Sequence, residues 1–291
     1  MSNFQWPNER QCAVSLTFDM DGETIPYLVD GENASKRMAL MSEFSYGPKV
    51  AMPYILDLLD LYEIQASFFM PGRTAELHAD LVRDIKRRGH DIGHHGYMHE
   101  RPDFLGDDQE ERVLKKGIAV FQDLLGHTPV GYRSPAWELK PSSPALLVRH
   151  GFKYDSSLMG HDIPYWVETV DGDLLELPVS WRNDDWPQFG FVSVPPVGNG
   201  ISAPSAGLEV FTEEFEGLYV RGGYFNMTMH PFLAGRPSGL RVLEKLIRYL
   251  RGFPRVWWSR LSDVADYCYQ PAVAPTLPRE TTRIPEPKWV D

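Results

Sequence analysis

Short apolar segments alternate with longer amphipathic segments along most of this 291-residue chain. Apolar runs of about four to eight residues are typical of buried strands, whereas apolar residues recurring at helical spacing are typical of amphipathic helices. The predicted strands are residues 12–18, 66–70, 90–93, 130–133, 174–179, 224–229 and 256–259. The predicted helices are residues 48–62, 74–88, 109–125, 143–150, 239–251 and 261–269. This alternation indicates βαβ units around a parallel sheet.

With about seven such strands in one chain, we expect a closed or nearly closed barrel rather than an open sheet. Residues 184–223 interrupt the alternation and are rich in Gly, Pro and aromatic residues, so we interpret them as an insertion or lid. Residues 271–291 contain five prolines and are predicted to be an irregular tail that wraps over the protein or over a neighbouring subunit. We therefore expect a single barrel domain at residues 1–270, followed by a Pro-rich tail.

Composition excludes two classes of partner. The net charge is −11 and no run of Lys or Arg forms a basic stripe, which argues against nucleic acid and anionic membrane surfaces. No apolar run approaches the ~20 residues of a membrane span, and residues 1–11 lack the apolar stretch of a signal peptide. The two cysteines, Cys12 and Cys268, have no metal-binding spacing. We expect a cytoplasmic protein with reduced thiols.

Four histidines lie within ten positions: His90, His94, His95 and His99. His95 and His99 have the H-x-x-x-H spacing that brings two imidazoles to one metal ion, but His90 and His94 have the same spacing. His95 and His99 follow the carboxyl end of a predicted strand, where parallel α/β folds build active sites, and this position favours them. The alternative is a set of hydrogen-bonded histidines without a metal.

Other polar side chains also follow predicted strands. Asp19 and Asp21 would place two carboxylates at the same barrel mouth, where a metal needs a negative ligand and a hydrolase needs a base. Asp-x-Asp-Gly is equally good turn chemistry. Arg133 could orient a carboxylate, and His230 could act as a general acid, although surface arginines and core histidines are commoner. With the histidine segment and residues 154–157, these make five segments in order, which together are stronger evidence than each one alone.

These segments together resemble the motifs of the polysaccharide deacetylases (carbohydrate esterase family four). The segments are TFDMD, HGYMH, RSPAW, YDSSL and MHP, and the resemblance covers about residues 10–270. It implies an α/β fold of the distorted (β/α)7–8 barrel type and a hydrolase that binds one divalent metal per chain. The metal is usually zinc in the family, and Co²⁺, Mn²⁺ or Fe²⁺ also suit a site of two nitrogens and one oxygen.

The resemblance also implies roles for individual residues. Asp19 would be the catalytic base, and Arg133 would orient it. His230 would protonate the leaving nitrogen. The implied metal ligands are Asp21, His95 and His99.

Met20 separates the two acids of the first motif, which are adjacent in the commonest family pattern. This D-x-D form resembles a sub-branch that includes peptidoglycan deacetylase-like proteins without signal peptides, cyclic imide hydrolases and metal-independent allantoinases. Members of the sub-branch are often tetramers, so we expect a homo-oligomer. The metal positions that the allantoinases replace are all retained here.

The resemblance leaves the substrate open. Without an export signal we expect hydrolysis of a C–N bond in a small cyclic imide or ureide, with N-deacetylation of peptidoglycan or chito-oligosaccharides as the alternative. Trp137, Trp181 and Trp186 are predicted to contact the substrate, either by stacking on sugar rings or by walling a small apolar pocket. A catalytically silent glycan-binding module on the same barrel is a third hypothesis.

Overall fold

Ten strands form one sheet in the computed structural model, which describes residues 4–198 and 200–283. The strands are β1 (Cys12–Asp19), β2 (Ser67–Met70), β3 (Asp91–His94), β4 (Gly131–Tyr132), β5 (Tyr154–Asp155), β6 (Tyr165–Thr169), β7 (Gly172–Glu176), β8 (Tyr224–Met229), β9 (Val256–Trp258) and β10 (Arg279–Thr281). Their order is β10-β6-β7-β5-β4-β3-β2-β1-β8, and β9 pairs with β1. Every pairing among the described strands is parallel except β6–β7. The predicted α/β fold with a mainly parallel sheet is confirmed.

Twelve α-helices connect and cover the described strands. They are α1 (Ile25–Asp30), α2 (Met38–Tyr46), α3 (Met52–Leu61), α4 (Gly72–Leu77), α5 (Ala79–Arg87), α6 (Asp107–Leu125), α7 (Ser143–Arg149), α8 (Trp186–Phe189), α9 (Pro204–Arg221), α10 (Pro231–Ala234), α11 (Pro237–Leu250) and α12 (Leu261–Cys268). A π-helical turn, Gly47–Ala51, joins α2 to α3. Among the described residues, no helix combines the length and the apolar character needed to cross a bilayer.

The two faces of β1 differ in polarity. Every second residue of β1 belongs to the apolar core that the helices cover: Cys12, Val14, Leu16 and Phe18. The residues between them point to the opposite face, as the period of two in a strand requires. There Ser15 accepts a hydrogen bond from the Tyr224 hydroxyl, and Thr17 accepts one from Arg133. One face of β1 therefore packs against the helices through apolar side chains, and the opposite face takes part in buried hydrogen bonds.

The segment that follows β7 contacts β8 through isolated hydrogen bonds and not through regular strand pairing. Asn226 on β8 donates to the backbone oxygens of Leu177 and Pro178, which directly follow β7. Further along, Asp184 forms an isolated parallel bridge with Thr228. The segment after β7 therefore brings residues 184 and 185 beside the carboxyl end of β8.

Two segments are more regular than the sequence indicates. The 18-residue helix α9 occupies nearly half of the predicted insertion 184–223, because Phe211, Phe215 and Leu218 form one apolar stripe that packs into the main core. The prediction that residues 271–291 are irregular is wrong for residues 279–281, which form β10 against β6. Arg279 anchors this strand with ion pairs to Glu168 and Asp173. Residues 284–291 of the predicted tail lie outside the described residues.

Candidate metal and catalytic site

The carboxyl ends of β1 and β3 bring one acid and two histidines together. Asp21 Oδ1 lies 3.3 Å from His95 Nε2 and 3.6 Å from His99 Nε2. All three residues are buried, and their ligand atoms lie close enough together to hold one metal ion. His95 directly follows β3, and Asp21 lies two residues beyond β1. Parallel strands end at the same edge of the sheet, which explains why residues so distant in sequence meet here.

The protonation of His95 makes this arrangement suitable for a cation. Its Nδ1 lies 2.7 Å from the backbone oxygen of Arg133, which can only accept, so Nδ1 carries a proton. Burial lowers the pKa of this imidazole, but Asp21 and Asp19 outweigh burial and raise it. Once Nε2 has lost its proton, its lone pair faces Asp21 Oδ1, a buried oxygen without a hydrogen-bond donor among the described residues. Two acceptors at this distance repel each other unless a cation lies between them. The donor set therefore fits a divalent metal.

The charge state of Asp21 also favours a cation. Burial raises the pKa of its carboxyl group, but His99, His95 and His230 together lower that pKa to about 2. Asp21 is consequently ionised at neutral pH. A buried carboxylate needs positive partners, and His230 together with a metal ion beside His95 and His99 could supply them.

His99 is held in an unusual conformation. Its φ is +62°, in the left-handed region that side chains other than Gly rarely adopt. Burial lowers the pKa of its imidazole to about 4, so the ring is neutral, and its Nδ1 has no partner among the described residues. Glu100 supports the preceding turn by accepting hydrogen bonds from the backbone N–H groups of Tyr97 and Met98, at 3.0 and 2.7 Å. Strained backbone of this kind is frequent at functional sites.

The structure separates the two candidate histidine pairs. His94 uses both ring nitrogens, accepting from the N–H of Gly96 and donating to the oxygen of Leu114. His90 precedes β3, at the opposite end of that strand from His95, and accepts from the N–H of Ala66. Only the pair favoured by its position, His95 and His99, lies beside Asp21.

Arg133 and Asp19 form a fully buried ion pair beside the three candidate ligands. Arg133 Nη1 donates to Asp19 Oδ1 and to Thr17 Oγ1, both at 2.8 Å. The guanidinium also lies on the ring of Phe69, 4.3 Å from its centroid. These contacts fix one carboxylate oxygen of Asp19, as the predicted orienting role of Arg133 requires.

His230 follows β8 and is bound by an acid that sequence reasoning did not identify. Its Nδ1 lies 2.7 Å from Asp185 Oδ1, and its Nε2 lies 3.7 Å from Asp21 Oδ2. Burial lowers the pKa of His230, but Asp184, Asp185 and Asp21 outweigh that effect and raise it well above its usual value. Nε2 is the ring nitrogen that faces Asp21. The consecutive acids Asp184 and Asp185 were the available signal, but they lie in a segment predicted to be an insertion.

The three predicted substrate-binding tryptophans occupy two places. Trp186 lies at the site, with its ring centroid 5.6 Å from that of His230. Trp137 is buried and stacks on the half-exposed Trp181, with ring centroids 4.2 Å apart. Phe232 and Phe44 pack behind Trp186.

Solvent reaches the polar site only slightly. Relative exposure is at most 7% for each of its central residues, which are Asp19, Asp21, His95, His99 and His230. Water exclusion strengthens the electrostatic interactions within such a site.

Comparison with known proteins places these features in a family. Residues 31–154 match the family model described as Polysaccharide deacetylase. Over 247 residues the chain is 33% identical to a peptidoglycan deacetylase of Helicobacter pylori, an alignment that covers 76% of this chain and 84% of that protein. A Mycobacterium smegmatis crystal structure assigned to the polysaccharide deacetylases matches with a TM-score of 0.91 at 39% identity, over 98% of both chains. The crystal structure of Puue allantoinase shares the fold, with a TM-score of 0.79 at 23% identity over 91% of this chain and 92% of that one.

Proposed function

This chain belongs to the polysaccharide deacetylase family, and we propose on that basis that it is a zinc-dependent hydrolase of a non-peptide C–N bond in an amide or imide. The observation that carries the proposal is the convergence of Asp21, His95 and His99, with two facing acceptor atoms 3.3 Å apart. Two imidazoles and one carboxylate are a ligand set that suits Zn²⁺ and leaves room for water. When bound, the ion would polarise the substrate carbonyl and lower the pKa of a coordinated water molecule.

Asp19 is the proposed base. The hydrogen bond from Arg133 fixes the carboxylate through Oδ1, at the mouth where water and substrate would meet. Asp19 would take a proton from the attacking water. Because the guanidinium of Arg133 is itself held on several sides, the carboxylate needs little reorganisation during the reaction.

His230 is the proposed acid. Asp185 accepts a hydrogen bond from Nδ1–H, so a proton on Nε2 is the one available to a leaving nitrogen. Asp184 and Asp185 favour the charged form of this imidazole, because they outweigh burial and raise its pKa. The site thus contains a base and a separate acid, as hydrolysis of a C–N bond requires.

The enclosure of the site supports a small cyclic imide or ureide as the substrate. The central residues are almost fully buried, and Trp186 lies directly beside the proposed acid. A five- or six-membered ring needs only a small closed cavity, whereas a polysaccharide needs an open groove. Apolar walls with a few convergent polar groups are typical of small-molecule sites.

N-deacetylation of an acetylated glycan is the second candidate. The peptidoglycan deacetylase of Helicobacter pylori, 33% identical to this chain, favours it. The exposed ring of Trp181 would offer a surface on which a sugar stacks.

A substrate screen tests these proposals. Zinc-loaded protein is incubated with succinimide, hydantoin, dihydrouracil, allantoin and acetylated chito-oligosaccharides, with the Asp19→Asn variant as the control. We expect ring opening of at least one imide or ureide, at a kcat/KM well above that for the oligosaccharides. Acetate release without any ring opening would establish the second candidate. No turnover of any amide or acetylated glycan, combined with glycan binding, would support the silent module.

A further inference from the structure

The last residue of β5 and the two residues that follow it take no direct part in the proposed mechanism, yet they are completely buried. Asp155, Ser156 and Ser157 each have zero relative exposure. Ser156 accepts two hydrogen bonds from Arg133. Nε donates to its backbone oxygen at 3.0 Å, and Nη2 donates to its hydroxyl oxygen at 2.9 Å. Ser157 makes no contact of this kind with the guanidinium. Its hydroxyl instead accepts from the backbone N–H of Ser134 at 2.8 Å.

A single peptide group connects Ser157 to the candidate ligand His95. The carbonyl oxygen of this group, from Arg133, accepts from His95 Nδ1–H at 2.7 Å, while its N–H, from Ser134, donates to Ser157 Oγ. Ser157 Oγ donates its own proton to Asp155 Oδ1 at 2.7 Å. All donors point in the same direction, from the imidazole to the carboxylate. Hydrogen bonds aligned in this way polarise one another.

Glu176 completes the far end of this chain of hydrogen bonds. It is the register neighbour of Asp155 on β7, and its Oε1 accepts from the N–H groups of Ser157 and Leu158. Asp155 Oδ2 and Glu176 Oε2 both lack a donor among the described residues. Two adjacent buried carboxylates do not both ionise, and burial raises the pKa of each.

One proton between these two oxygens satisfies both of them. Burial and the neighbouring Asp155 raise the pKa of Glu176 well above its usual value, so Glu176 is the protonated partner. The negative charge of the pair then resides on Asp155, where Ser157 donates to it. Arg133, Tyr132 and Tyr165 are the other titratable groups that interact with the pair.

We propose that Asp155 is a positioning residue for His95, acting through Ser157 and the peptide group between Arg133 and Ser134. The carboxylate holds the ring with Nε2 unprotonated towards Asp21 and makes that nitrogen a stronger metal ligand. This inference rests on the proposed role of His95 as a metal ligand. Partners of metal-bound histidines outside the ligand set typically alter metal affinity by ~10–100-fold. In this chain the carbonyl of Arg133 contacts His95 directly, and the carboxylate of Asp155 acts on it through Ser157 and the Ser134 N–H.

The test is the Zn²⁺ affinity of the metal-free protein, measured by competition with a chromophoric chelator. We expect Ser157→Ala and Asp155→Asn to weaken Zn²⁺ binding by ~10-fold or more. Glu176→Gln is the matched control, because its amide can still accept from Ser157 and Leu158 and can donate to Asp155 Oδ2. It should bind Zn²⁺ with nearly unchanged affinity. Ser156→Ala should also keep the affinity but lower kcat, because Arg133 loses one of its anchors.

The outcomes separate this inference from the proposed function. A His95→Ala variant that binds Zn²⁺ like the unaltered protein would overturn the metal site itself. Loss of binding in His95→Ala, with unchanged affinity in Ser157→Ala and Asp155→Asn, would overturn only the role of Asp155. Equal losses in Asp155→Asn and Glu176→Gln would also overturn it, since they would mean that the pair merely supports the fold. If Ser157→Ala does not fold, the comparison of Asp155→Asn with Glu176→Gln decides.

Discussion

At the scale of single residues, the ion pair between Asp19 and Arg133 is closed to solvent, so removing either partner leaves an uncompensated buried charge. Breaking such a pair typically destabilises a protein by ~3–5 kcal/mol. Asn at position 19 is the mildest change, because its oxygen can still accept from Arg133. It keeps the shape of the site while removing the proposed base.

We expect Asp19→Asn to lower kcat by ~10²–10⁴, the usual contribution of a positioned base. The variant should retain near-normal zinc content, because Asp19 is not among the three proposed ligands. Kinetics on a substrate from the screen and metal analysis of the same preparation provide the two readouts. Turnover equal to that of the unaltered protein would assign proton removal to another group.

Replacing one histidine from each candidate pair tests the assignment of the ligands. We expect His99→Ala to lose bound metal and activity together, because its Nε2 lies 3.6 Å from Asp21 Oδ1. His90→Gln should retain stoichiometric metal, since its amide oxygen can replace the acceptor for the Ala66 N–H. Metal content after purification decides between the pairs. A metal-free His90→Gln protein beside a metal-loaded His99→Ala protein would reverse the assignment.

At the scale of elements, His90 and His94, two buried histidines of the β3 region that lie outside the candidate metal site, make the stability depend on pH. Burial lowers the pKa of His90 to about 4 and that of His94 to about 3, whereas an unfolded histidine has a pKa of ~6.5. Below pH ~6.5 the unfolded chain therefore binds more protons than the native protein. The contribution of each histidine to stability is present above that pH and is lost as the pH falls.

We expect the free energy of unfolding to decrease as the pH falls from ~6.5 to ~4, by up to ~1.4 kcal/mol per pH unit for each of the two histidines. Denaturant titrations of metal-free protein at several pH values measure this slope. In His90→Gln the slope should decrease by the contribution of one histidine. An identical slope in the variant would show that His90 is protonated in the native state.

The elements that the sequence predicted correctly are those in which one local signal dominates. Strand β8 matches its prediction from Tyr224 to Met229, and β1 extends one residue beyond its predicted end. Such buried strands are continuous apolar or β-branched runs. The hairpin partner β6 was missed, because its polar residues at 168 and 169 face solvent and interrupt the apolar pattern. Strand β10 was missed because it depends on pairing with β6 and not on its own sequence.

The candidate site was predictable wherever a side chain that can bind a metal or transfer a proton lies at the carboxyl end of a strand. Asp19 is the last residue of β1, His95 and His230 directly follow β3 and β8, and the structure brings the three to one place. Asp185 reaches His230 only because the irregular segment after β7 returns to the edge of β8. That return depends on long-range contacts, for which the sequence has no local pattern.

At the scale of the whole molecule, the metal proposed here would join β1 and β3, two elements distant in sequence. A ligand that binds only the native state stabilises it by ~2.7 kcal/mol when its free concentration is a hundredfold above Kd.

The predicted cytoplasmic location and homo-oligomeric state stay predictions, and light scattering during gel filtration measures the oligomeric state.

We expect chelation to lower Tm by ~5–10 °C from its value at a hundredfold excess of free Zn²⁺ over Kd, since ~1 kcal/mol corresponds to ~2–4 °C in a protein of this size class. Differential scanning fluorimetry with and without a chelator measures the shift. His99→Ala is the control and should show no difference between the two conditions. A chelator-independent Tm in the unaltered protein would argue against a metal that contributes to folding stability.

The left-handed backbone at His99 has a consequence for how such barrels diverge. A residue other than Gly in this region typically raises the energy of the native state by ~1–3 kcal/mol. The buried Nδ1, which has no hydrogen-bond partner within residues 4–198 and 200–283, adds to that disadvantage. A library of variants selected only for resistance to heat, in a chelator, should therefore enrich Asn or Gly at position 99. Lineages that no longer use the catalytic chemistry would be expected to lose this histidine early while retaining the barrel.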